Sequence, residues 1–416
     1  MTREMKDSGI RYICMIPSHW ETMPNKYIMH KIKDICNVYK DEDILSLTMN
    51  GVIIRDLEAG GKMPSSFNGY QKIYPGNLLM CLFDYDVTPR CIGLIKNKGI
   101  TSPAYSQFVL DNGNSARYFY YYYLMIDNDK SILHLAKNLR HSFTEDQLGT
   151  FLTIVPPIVE QKKIADYLDK KCAEINSIVN DIQKQIEVLE QYKRSTITEA
   201  VTKGLNPNAE MKDSKIRYIG NIPSHWETKK GKFIFNYIQK SPKEDDGVIT
   251  CFRDGEVTLR SKRREDGFTI SEKEIGYQGI DVGDLVVHGM DGFAGAIGIS
   301  DSRGKASPVL NVLETDQNKR YYMYLLRTMA FRGVFESLST GIRVRTCDTN
   351  WGKLREIFYI LPSHVEQKEI ADYLDKKCAE IEAIISDKKA QLDVIEKYKK
   401  SLIYEYVTGK KEVVDE

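Results

Sequence analysis

Hydrophobic and polar positions follow two different patterns along the chain, which separate globular segments from long helices. Between Lys26 and Val155, short apolar runs alternate with turn-forming clusters such as Ala59-Gly60-Gly61 and Pro75-Gly76. That pattern is typical of strands joined by tight turns. Strands are predicted at Ile44–Thr48, Gly51–Ile54, Asn77–Phe83, Cys91–Ile95 and Ser106–Leu110, with helices at Ala116–Ile126 and Ser131–Leu139. With a further apolar run at Phe151–Val155, these segments predict an α+β globule.

The predicted helix at Ala116–Ile126 is dominated by aromatic residues, which run without a break from Tyr118 to Tyr123. Adjacent residues point to different sides of a helix, so most of these rings are expected to pack in a core. Stacking on nucleic-acid bases is the alternative.

A helical period begins after Pro156-Pro157. Apolar residues there follow one another at steps of 4, 4, 3, 4, 3, 4 and 3 residues, close to the spacing of a coiled-coil seam. The seam is predicted to contain Ile164, Leu168, Cys172, Ile175, Val179, Ile182, Ile186 and Leu189. Gly204, Asn206 and Pro207 end the segment. At 1.5 Å per residue, the helix is expected to be about 60 Å long.

The chain contains this helix twice. Glu160–Ile175 reads EQKKIADYLDKKCAEI, and Glu366–Ile381, 206 residues further on, reads EQKEIADYLDKKCAEI. The same offset relates Met5–Thr22 (MKDSGIRYICMIPSHWET) to Met211–Thr228 (MKDSKIRYIGNIPSHWET). We call these last two ranges the anchor segments. The chain is therefore a tandem duplication of about residues 5–210 and 211–416.

Each anchor segment ends in a Ser-His-Trp-Glu sequence. The tryptophans, Trp20 and Trp226, are expected to be packed in hydrophobic surroundings. The histidines, His19 and His225, have no second histidine, cysteine or carboxylate at metal-ligand spacing in the sequence, which favours a structural role.

The second half repeats the order of elements with a different globule sequence. Strands are predicted at Val248–Phe252, Asp284–Val287 and Ala296–Ile299, and a helix at Lys319–Met329. The second seam is predicted to contain Ile370, Leu374, Cys378, Ile381, Ile385, Leu392 and Ile395. Lys388 takes the position equivalent to Ile182, and a polar residue there would help to fix the register of the helices.

Neither long helix can bury its seam alone, so the two are expected to pack on each other about a pseudo-two-fold axis. That symmetry makes them antiparallel, with one globule at each end; a parallel pair is the alternative. The predicted fold class is α+β, with two α/β globules joined by an antiparallel coiled coil. The predicted domains are residues 1–155 (anchor and first globule), 156–204 (first long helix), 205–361 (linker, anchor and second globule), 362–410 (second long helix) and 411–416 (tail).

Composition places the chain among folded proteins, with 42% hydrophobic and 28% charged residues and a net charge of +1. No apolar run is long enough to span a bilayer, and the first residues lack an apolar signal region. A cytoplasmic location is therefore expected. The eight cysteines are scattered singly, without zinc-ligand spacing, so no metal site is predicted.

The sequence lacks the common catalytic motifs. Gly298–Lys305 resembles a P-loop but has the wrong spacing, and the H-E-x-x-H and G-x-S-x-G patterns do not occur. No amino-methyltransferase N-P-P-Y or D-P-P-Y segment occurs either. These observations favour a protein that recognises a partner, with no catalytic residues of its own.

Basic residues cluster in the second globule. The candidate DNA contacts are Arg253, Arg260, Lys262, Arg263, Arg264, Arg343 and Arg345. Arg343 and Arg345 flank Val344, and such spacing on an extended segment directs two guanidinium groups to one face. Guanidinium groups suit guanine edges and phosphates. Because acidic residues are interleaved, a solvated charged loop is the alternative.

The first globule offers fewer basic residues. Its candidates for DNA binding are Arg55, Lys62, Arg90 and Arg140. If both globules bind DNA, their different loops should recognise different sequences.

The repeated motifs carry a family resemblance. An IPSHWE-type start, a variable globule and a helix that opens VPPIVEQKKIADYL, all repeated with LPSHVEQKEIADYL, resemble the specificity subunits of type I restriction–modification systems. The resemblance extends over essentially the whole chain, and GDLVVHGMDGFAGAIGI in the second globule is similar to the family's target-recognition domains. The first globule matches that pattern less well, and Ser363-His364 replaces the usual proline at the second helix.

The resemblance implies a subunit without catalytic activity that binds double-stranded DNA and two methyltransferase subunits. Each globule would recognise one half of a bipartite site, and the helices would set the spacer. S-adenosylmethionine would bind to the methyltransferase, and ATP and magnesium to added restriction subunits; this chain would hold no cofactor. The alternatives are a self-sufficient methyltransferase or nuclease with an unrecognised active site, and an autonomous DNA-binding regulator.

Overall fold

The two halves of the chain form corresponding elements in the computed structural model, which describes residues 3–58, 64–136, 138, 140–263, 275–337 and 349–414. The strands of the first half are β1 (Met5–Asp7), β2 (Met15–Pro17), β3 (Glu21–Pro24), β4 (Met29–Ile32), β5 (Asp34–Ile35), β6 (Leu45–Thr48), β7 (Gly51–Ile54), β8 (Gln71–Ile73), β9 (Leu78–Met80), β10 (Ile92–Leu94), β11 (Gly99–Thr101), β12 (Ser106–Leu110) and β13 (Leu152–Val155). Those of the second half are β14 (Met211–Asp213), β15 (Asn221–Pro223), β16 (Glu227–Lys230), β17 (Asn236–Ile238), β18 (Ile249–Cys251), β19 (Val257–Leu259), β20 (Gln278–Ile280), β21 (Leu285–His288), β22 (Ile297–Ile299), β23 (Gly304–Ala306), β24 (Leu310–Glu314) and β25 (Phe358–Leu361).

The α-helices include two that are far longer than the rest. They are α1 (Ala116–Asn128), α2 (Glu145–Thr150), α3 (Ile158–Lys203), α4 (Arg260–Arg263), α5 (Lys319–Phe331), α6 (Val334–Ser337), α7 (Trp351–Leu354) and α8 (His364–Val407). Short 3-10 turns lie at Asn25–Tyr27, Leu133–Leu135, Gly231–Phe233 and Gly292–Ala294. The prediction of a mixed α+β chain with long helices is confirmed.

Contacts divide the chain into two compact units, and the division passes through both long helices. The first unit is Met1–Gln183 with Lys389–Glu416, and the second is Lys184–Lys388. Each unit therefore contains one globule, part of α3 and part of α8. The domains predicted as 156–204 and 362–410 kept each long helix whole, whereas the contact units take a segment of both helices.

The first globule is built on a four-stranded antiparallel sheet of order β10-β9-β12-β4. A second sheet has the order β11-β8-β5, and β6 and β7 form a hairpin. Strand β13, just before α3, pairs with β3 of the anchor segment, with Ile154 opposite Thr22. The anchor segment is thereby fixed to the start of the long helix.

The second globule has the same topology despite its different sequence. Its four-stranded sheet has the order β17-β24-β21-β22, β18 and β19 form the equivalent hairpin, and β25 pairs with β16. In each globule a helix of 13 residues, α1 or α5, follows the last strand of the main sheet.

The aromatic run on α1 lies in the core. Tyr118, Phe119, Tyr121, Tyr122 and Tyr123 are at most 7% exposed, in a cluster that also contains residues of α3 and α8. On α5, Tyr321, Tyr322 and Tyr324 are buried in the corresponding cluster of the second unit. These rings pack the globule against the long helices, which leaves them unavailable for stacking on bases.

Within each unit the two helical segments run antiparallel. In the first unit, Lys399 donates to the Asn176 side chain (2.6 Å), and the Tyr406 hydroxyl donates to that of Tyr167 (3.1 Å). Contacts thus move towards the start of α3 as α8 proceeds towards its end. In the second unit, Lys193 pairs with Glu382 and Lys388 donates to Gln185 (2.5 Å) in the same sense.

The residues of the predicted seam lie away from solvent. Those below 10% exposure are Ile164, Leu168, Cys172, Ile175, Ile182, Ile186, Ile370, Leu374, Cys378, Ile381 and Ile385. Val179, Leu189, Leu392 and Ile395 are half-buried. Lys388 is also half-buried, and its ammonium group reaches Gln185 at the edge of the seam.

The end of each long helix packs against an anchor tryptophan. Trp20 and Trp226 are fully buried. Gly409 follows α8 with φ +72°, and a Cβ there would lie 2.8 Å from the Trp20 ring. Gly204 follows α3 with φ +77°, and a Cβ there would lie 3.2 Å from the Trp226 ring. Glycine ends helices in this left-handed conformation and here also permits the close approach.

The structure corrects one predicted element and adds others. The helix predicted at Ser131–Leu139 is a 3-10 turn at Leu133–Leu135, with Lys137 and Leu139 outside the described residues. Helix α2, which was not predicted, begins at a capping box formed by Thr144 and Gln147. The paired strands within the anchor segments were also missed, because three-residue strands carry too little periodicity to recognise.

Candidate nucleic-acid interface

The glutamate that opens the repeated helix motif joins each long helix to its anchor segment. Glu160 contacts His19 (Nε2 to Oε1, 2.6 Å), accepts from Trp20 Nε1 (3.1 Å) and pairs with Arg3. Glu366 contacts His225 (2.7 Å) and accepts from Trp226 Nε1 (2.9 Å). The repeated histidines and tryptophans therefore have a structural role.

The next residue of the motif holds the globule. The buried Gln161 accepts from the backbone N–H of Ser115, the N-cap of α1 (2.8 Å), and donates to Asn114 (2.8 Å). The equivalent Gln367 accepts from the N–H of Asn318, the N-cap of α5 (3.0 Å). The Glu-Gln pair thus fixes the anchor segment with one side chain and the globule with the other.

Two aspartates, five and eight residues further along the helix, bind an arginine of the globule. Arg117 on α1 pairs with Asp166 (2.6 Å) and Asp169 (2.7 Å), and Tyr121 donates to Asp169 (2.8 Å). These carboxylates raise the pKa of the Arg117 guanidinium by hydrogen bonding.

The second globule repeats this arrangement. Arg320 on α5 pairs with Asp372 (2.6 Å) and with Asp375, and Tyr324 donates to Asp375 (2.8 Å). Because each guanidinium group binds two carboxylates through two different nitrogen atoms, its orientation is fixed as well as its distance. The repeated motif therefore accounts for how two unlike globules are mounted in the same way.

One tyrosine on each globule helix reaches the end of the other long helix. Tyr118 donates to the carbonyl of Val407 (2.8 Å) in the first unit, and Tyr321 donates to that of Val201 (3.0 Å) in the second. Both carbonyls belong to the last turn of a helix, where acceptors have no partner within the helix. Each globule is therefore tied to both helical segments of its unit.

The basic candidates of the second globule lie around the β18–β19 hairpin, where carboxylates accompany most of them. Arg253 pairs with Asp291 (2.8 Å), and Lys262 with Asp301 (3.3 Å). Arg263 bonds to Asp254 and Glu256 and lies over the Phe252 ring, 4.0 Å from its centre. The Arg260 Nε donates to Thr250 (2.9 Å).

These ion pairs involve exposed side chains, with Arg253 67% and Lys262 52% exposed. Exposed pairs contribute little to stability, about 0–1 kcal/mol, so a DNA phosphate could replace the carboxylate partners. The predicted candidates Arg264, Arg343 and Arg345 lie outside the described residues.

In the first globule, Arg55 occupies the position equivalent to Arg260. The backbone N–H of Arg55 donates to Ile44 (2.7 Å) just after β7, as that of Arg260 donates to Val248 (2.9 Å) just after β19. Arg140 is exposed in the segment between α1 and α2. Lys62 lies outside the described residues.

Arg90 occupies a structural position. Its guanidinium is 15% exposed and bonds to Asp127 (3.2 Å), a side chain that is 2% exposed. Lys130 also pairs with Asp127 (2.7 Å). A buried carboxylate needs such partners, because an unpaired buried charge is strongly destabilising. The structure therefore favours a role for Arg90 in folding over one in DNA contact.

Sequence reasoning missed a basic group on the long helix itself. Arg194 of α3 lies over Phe331, at the end of α5, with its guanidinium carbon 5.2 Å from the ring centre. Arg327, one turn before Phe331, lies over the same ring at 5.9 Å. The sequence does show that Arg194 lies outside the helix seam and that its repeat equivalent, Lys400, is also basic.

The long helices also expose apolar side chains at equivalent positions in both repeats. In the first unit these are Ile178 (50% exposed), Val394 (65%) and Tyr398 (57%). In the second unit they are Ile384 (46%), Val188 (61%) and Tyr192 (55%). We call these two sets the helix patches. The outer face of α3 also carries charged residues that are a candidate surface for docking partner subunits. They are Lys162, Lys170, Lys171, Glu174 and Lys184, all exposed except the half-buried Lys171, which pairs with Glu174 (3.0 Å).

Within the described part of the chain, no helix combines the length and apolarity needed to cross a membrane. The described residues also contain no group of three or more His, Cys, Asp and Glu side chains that could hold a metal ion.

Comparison with known sequences supports the family resemblance. No protein-family model matches the chain. The type I restriction enzyme MjaVIII specificity subunit of Methanocaldococcus jannaschii is 26% identical over 273 residues, covering 62% of this chain and 61% of the relative. A second protein of that organism, whose name refers to the MjaX specificity subunit of a type I restriction enzyme, is 32% identical over 120 residues, or 28% of this chain and 27% of the relative. The matches thus span less than two thirds of either relative.

Comparison with solved structures supports the fold over nearly the whole length. A chain from a study described as "Structural basis underlying complex assembly and conformational transition of the type I R-M system" superposes with a TM-score of 0.68 at 12% identity. The match covers 95% of this chain and 99% of that one. The resemblance to type I specificity subunits inferred from the repeated motifs is confirmed.

Proposed function

We propose that this chain, a relative of the specificity subunits of type I restriction enzymes, is the DNA sequence-recognition subunit of such a complex. Each globule recognises one half of a bipartite site on double-stranded DNA, and the chain performs no catalysis itself. The proposal combines the similarity to named specificity subunits with the full-length likeness of fold.

One observation carries the proposal: two globules with unlike loops are mounted by identical contacts. Gln161 and Gln367 hold the N-caps of α1 and α5, and the Asp pairs hold Arg117 and Arg320. A shared mount with divergent loops is the arrangement expected where two modules perform the same task on different sequences. Around the loops, exposed Arg and Lys side chains supply the charge that DNA backbones attract.

In this function the long helices set the distance between the two half-sites. A pseudo-two-fold arrangement about an antiparallel helix pair would present the two globules to half-sites in opposite orientation. The antiparallel contacts within each unit, such as Lys399 with Asn176 and Lys388 with Gln185, support this arrangement.

The chemistry is assigned to partner subunits. Two methyltransferase subunits would dock on the helix patches, one on each, and would bind S-adenosylmethionine for adenine methylation. Restriction subunits with ATP and magnesium would complete a site-specific endonuclease. Exposed apolar clusters are typical of interaction sites. The two helix patches have the same composition, which supports two equivalent docking positions: Ile178, Val394 and Tyr398 in the first unit, and Ile384, Val188 and Tyr192 in the second.

Replacement of one globule tests the proposal. The sequence between Lys26 and Val155 is exchanged for the corresponding globule of another specificity subunit, and the protein is produced with its methyltransferase partner. Methylated adenines are then mapped across the genome of the host. We expect one half of the recognised site to change and the other half to remain, because the second globule, its mount and both long helices are untouched.

A matched exchange of residues 232–361 should change the other half-site. The proposal fails if either exchange alters both halves together, or if the purified chain methylates DNA without any partner. Sequence-specific binding by the chain alone, combined with no affinity for methyltransferase subunits, would favour an autonomous regulator instead.

A further inference from the structure

Three side chains of the second unit form a group that lies outside the candidate DNA contacts described above. Arg194 on α3 and Arg327 on α5 both lie over the ring of Phe331, with guanidinium carbons 5.2 and 5.9 Å from its centre. We call these residues the Arg-Phe-Arg cluster. Phe331 is 46% exposed, so part of the aromatic ring that both cations contact faces solvent.

Among the residues that the structure describes, no carboxylate forms an ion pair with either guanidinium group. Neither forms an ion pair or a side-chain hydrogen bond with any residue that the structure describes. Arg327 is half-buried, and its burial lowers the pKa of the guanidinium. Asp254 contributes a favourable charge, but its carboxylate already accepts two bonds from Arg263 (2.6 and 3.0 Å).

This arrangement contrasts with the other described basic candidates of the globule. Arg253, Lys262 and Arg263 each pair with a carboxylate, whereas neither arginine of the cluster forms an ion pair with a described residue. A partly desolvated cation without a counter-ion is unfavourable, so a bound anion would stabilise it. Guanidinium groups held over an aromatic ring also keep their planar edges free for hydrogen bonding.

Two glycine loops approach the cluster closely. Gly255, at the tip of the β18–β19 hairpin, has φ +95°, and a Cβ there would lie 2.1 Å from Nη1 of Arg327. Gly295 has φ +91°, and a Cβ there would lie 3.2 Å from the Phe331 ring. Both loops belong to the part of the globule that carries Arg253 and Asp291. The cluster is therefore continuous with the predicted DNA-binding loops.

The described residues of the first unit contain no such cluster at the equivalent positions. Helix α1 places Leu124 and Asn128 where α5 places Arg327 and Phe331, and Lys400 takes the position of Arg194. Leu124 is buried, whereas Asp127 binds Arg90 and Lys130 at this end of α1. The cluster is thus a property of the second globule, and the shared mounts do not explain it.

We propose that the Arg-Phe-Arg cluster binds a backbone phosphate of duplex DNA beside the half-site that the second globule recognises. The inference rests on the proposed function and deepens it. Arg194 and Arg327 bind the phosphodiester oxygens, and the ring of Phe331 holds both guanidinium groups in position. A phosphate contact carries no base information, so the cluster fixes the register of the globule on the duplex.

The test uses the chain in complex with its methyltransferase partner and a labelled duplex that contains the mapped site. Binding is measured over a series of salt concentrations for the original protein, Arg194→Gln and Arg327→Gln. Each substitution should reduce the slope of log K against log salt concentration by about 0.9, the value for one phosphate contact. The recognised sequence should not change. Circular dichroism checks that each variant is folded.

Matched variants separate charge from geometry. Arg194→Lys should retain most of the original slope, because lysine also binds phosphate as a point charge. Phe331→Leu should weaken binding although it removes no charge. Lys400→Gln, at the equivalent exposed position of the first unit, should leave the slope within error of the original.

The possible results are distinguishable. An unchanged slope in both arginine variants, with normal binding by the original complex, overturns the phosphate inference and leaves the proposed function standing. A change in the methylated sequence would show a base contact and would also overturn it. If Lys400→Gln lowers the slope as much as Arg194→Gln does, the cluster has no special role. A failure of the original complex to bind DNA at all would contradict the proposed function itself.

Discussion

At the scale of single residues, the repeated glutamates connect parts of the chain that are about 140 residues apart. Partial burial alone would raise the pKa of Glu366, but hydrogen bonds from Trp226, His225 and Ser363 outweigh it and lower the pKa to about 2. The pKa of Glu160 is lowered in the same way, by His19, Arg3 and Trp20 against the effect of burial. Both carboxylates are therefore ionised in the folded protein well into the acid range.

Glu366→Gln should destabilise the second unit at neutral pH. Removing the charge weakens bonds with His225 and Trp226, and a charge-assisted bond contributes about 1.5–3 kcal/mol. The pKa of Glu366 is lower in the folded protein than in the unfolded chain. Its contribution is therefore present above the unfolded-state pKa of about 4.3 and lost as the pH falls towards the folded-state value.

Urea denaturation followed by tryptophan fluorescence measures this effect. The difference in unfolding free energy between the original protein and Glu366→Gln should shrink as the pH is lowered from about 5 to about 3. Glu369→Gln, on an exposed residue of the same helix, should have little effect. A difference that stays constant across this pH range would mean that shape, rather than charge, is what the glutamate provides.

At the scale of elements, the long helices differ at one repeated position of their seam. Ile182 is 8% exposed, whereas its equivalent Lys388 is half-buried and donates to Gln185. A polar residue in a helix seam lowers stability but favours one register over others. The duplication therefore retains an apolar residue in one copy and a register-fixing residue in the other.

Ile182→Lys should lower the unfolding free energy by about 1.5–3 kcal/mol, the value for burying one large aliphatic side chain. Lys388→Ile should raise it, because the added aliphatic surface is partly buried. Thermal denaturation followed by circular dichroism measures both variants. If Lys388→Ile lowers the unfolding free energy instead, the hydrogen bond from Lys388 to Gln185 stabilises the protein more than an apolar side chain does at that position.

At the scale of the whole molecule, the first unit combines segments from both ends of the chain, whereas the second is one continuous stretch. The first unit joins residues 1–183 to 389–416, and Gly409 packs on Trp20 just as Gly204 packs on Trp226. The end of α8 therefore takes, beside the first anchor segment, the place that the end of α3 takes beside the second. In each unit, the helix patch draws residues from α3 and α8 together.

Val188→Lys and Val394→Lys should each remove one methyltransferase subunit from the complex. Val188 and Val394 occupy equivalent positions in the two helix patches, and both are more than 60% exposed. A charge at either position should therefore disrupt an apolar interface without affecting the core. Light scattering of the purified complex measures the number of bound subunits. We expect two for the original chain, one for each single variant and none for the double variant.

Glu190→Lys, at another exposed position of α3, is the matched control and should retain both subunits. If both single valine variants also retain two subunits, docking lies elsewhere on the chain. The loss of both subunits from one single variant would mean that the two positions are not independent.

Several features of the candidate interface could not be predicted from the sequence because they depend on distant contacts. Arg90 was a candidate DNA contact by charge alone, but only the fold shows that Asp127 is buried beside it. The contact between Arg194 and Phe331 could not be predicted, because the two residues lie far apart in the sequence. The pairing of Arg263 with Asp254 and Glu256 was within reach, since these residues are close in the chain.

The sequence by itself determined the duplication, the two long helices, the residues of their seam and the resemblance to type I specificity subunits. These features rest on local periodicity and on direct identity between the copies, which require no coordinates. The tertiary structure decided what the repeated motif does: Glu160 and Glu366 hold the anchors, the glutamines hold the globules, and the aspartates bind Arg117 and Arg320. It also decided which cations lack a counter-ion. Ion pairs and hydrogen bonds between distant segments depend on how the chain folds back on itself, and residue spacing alone does not encode that.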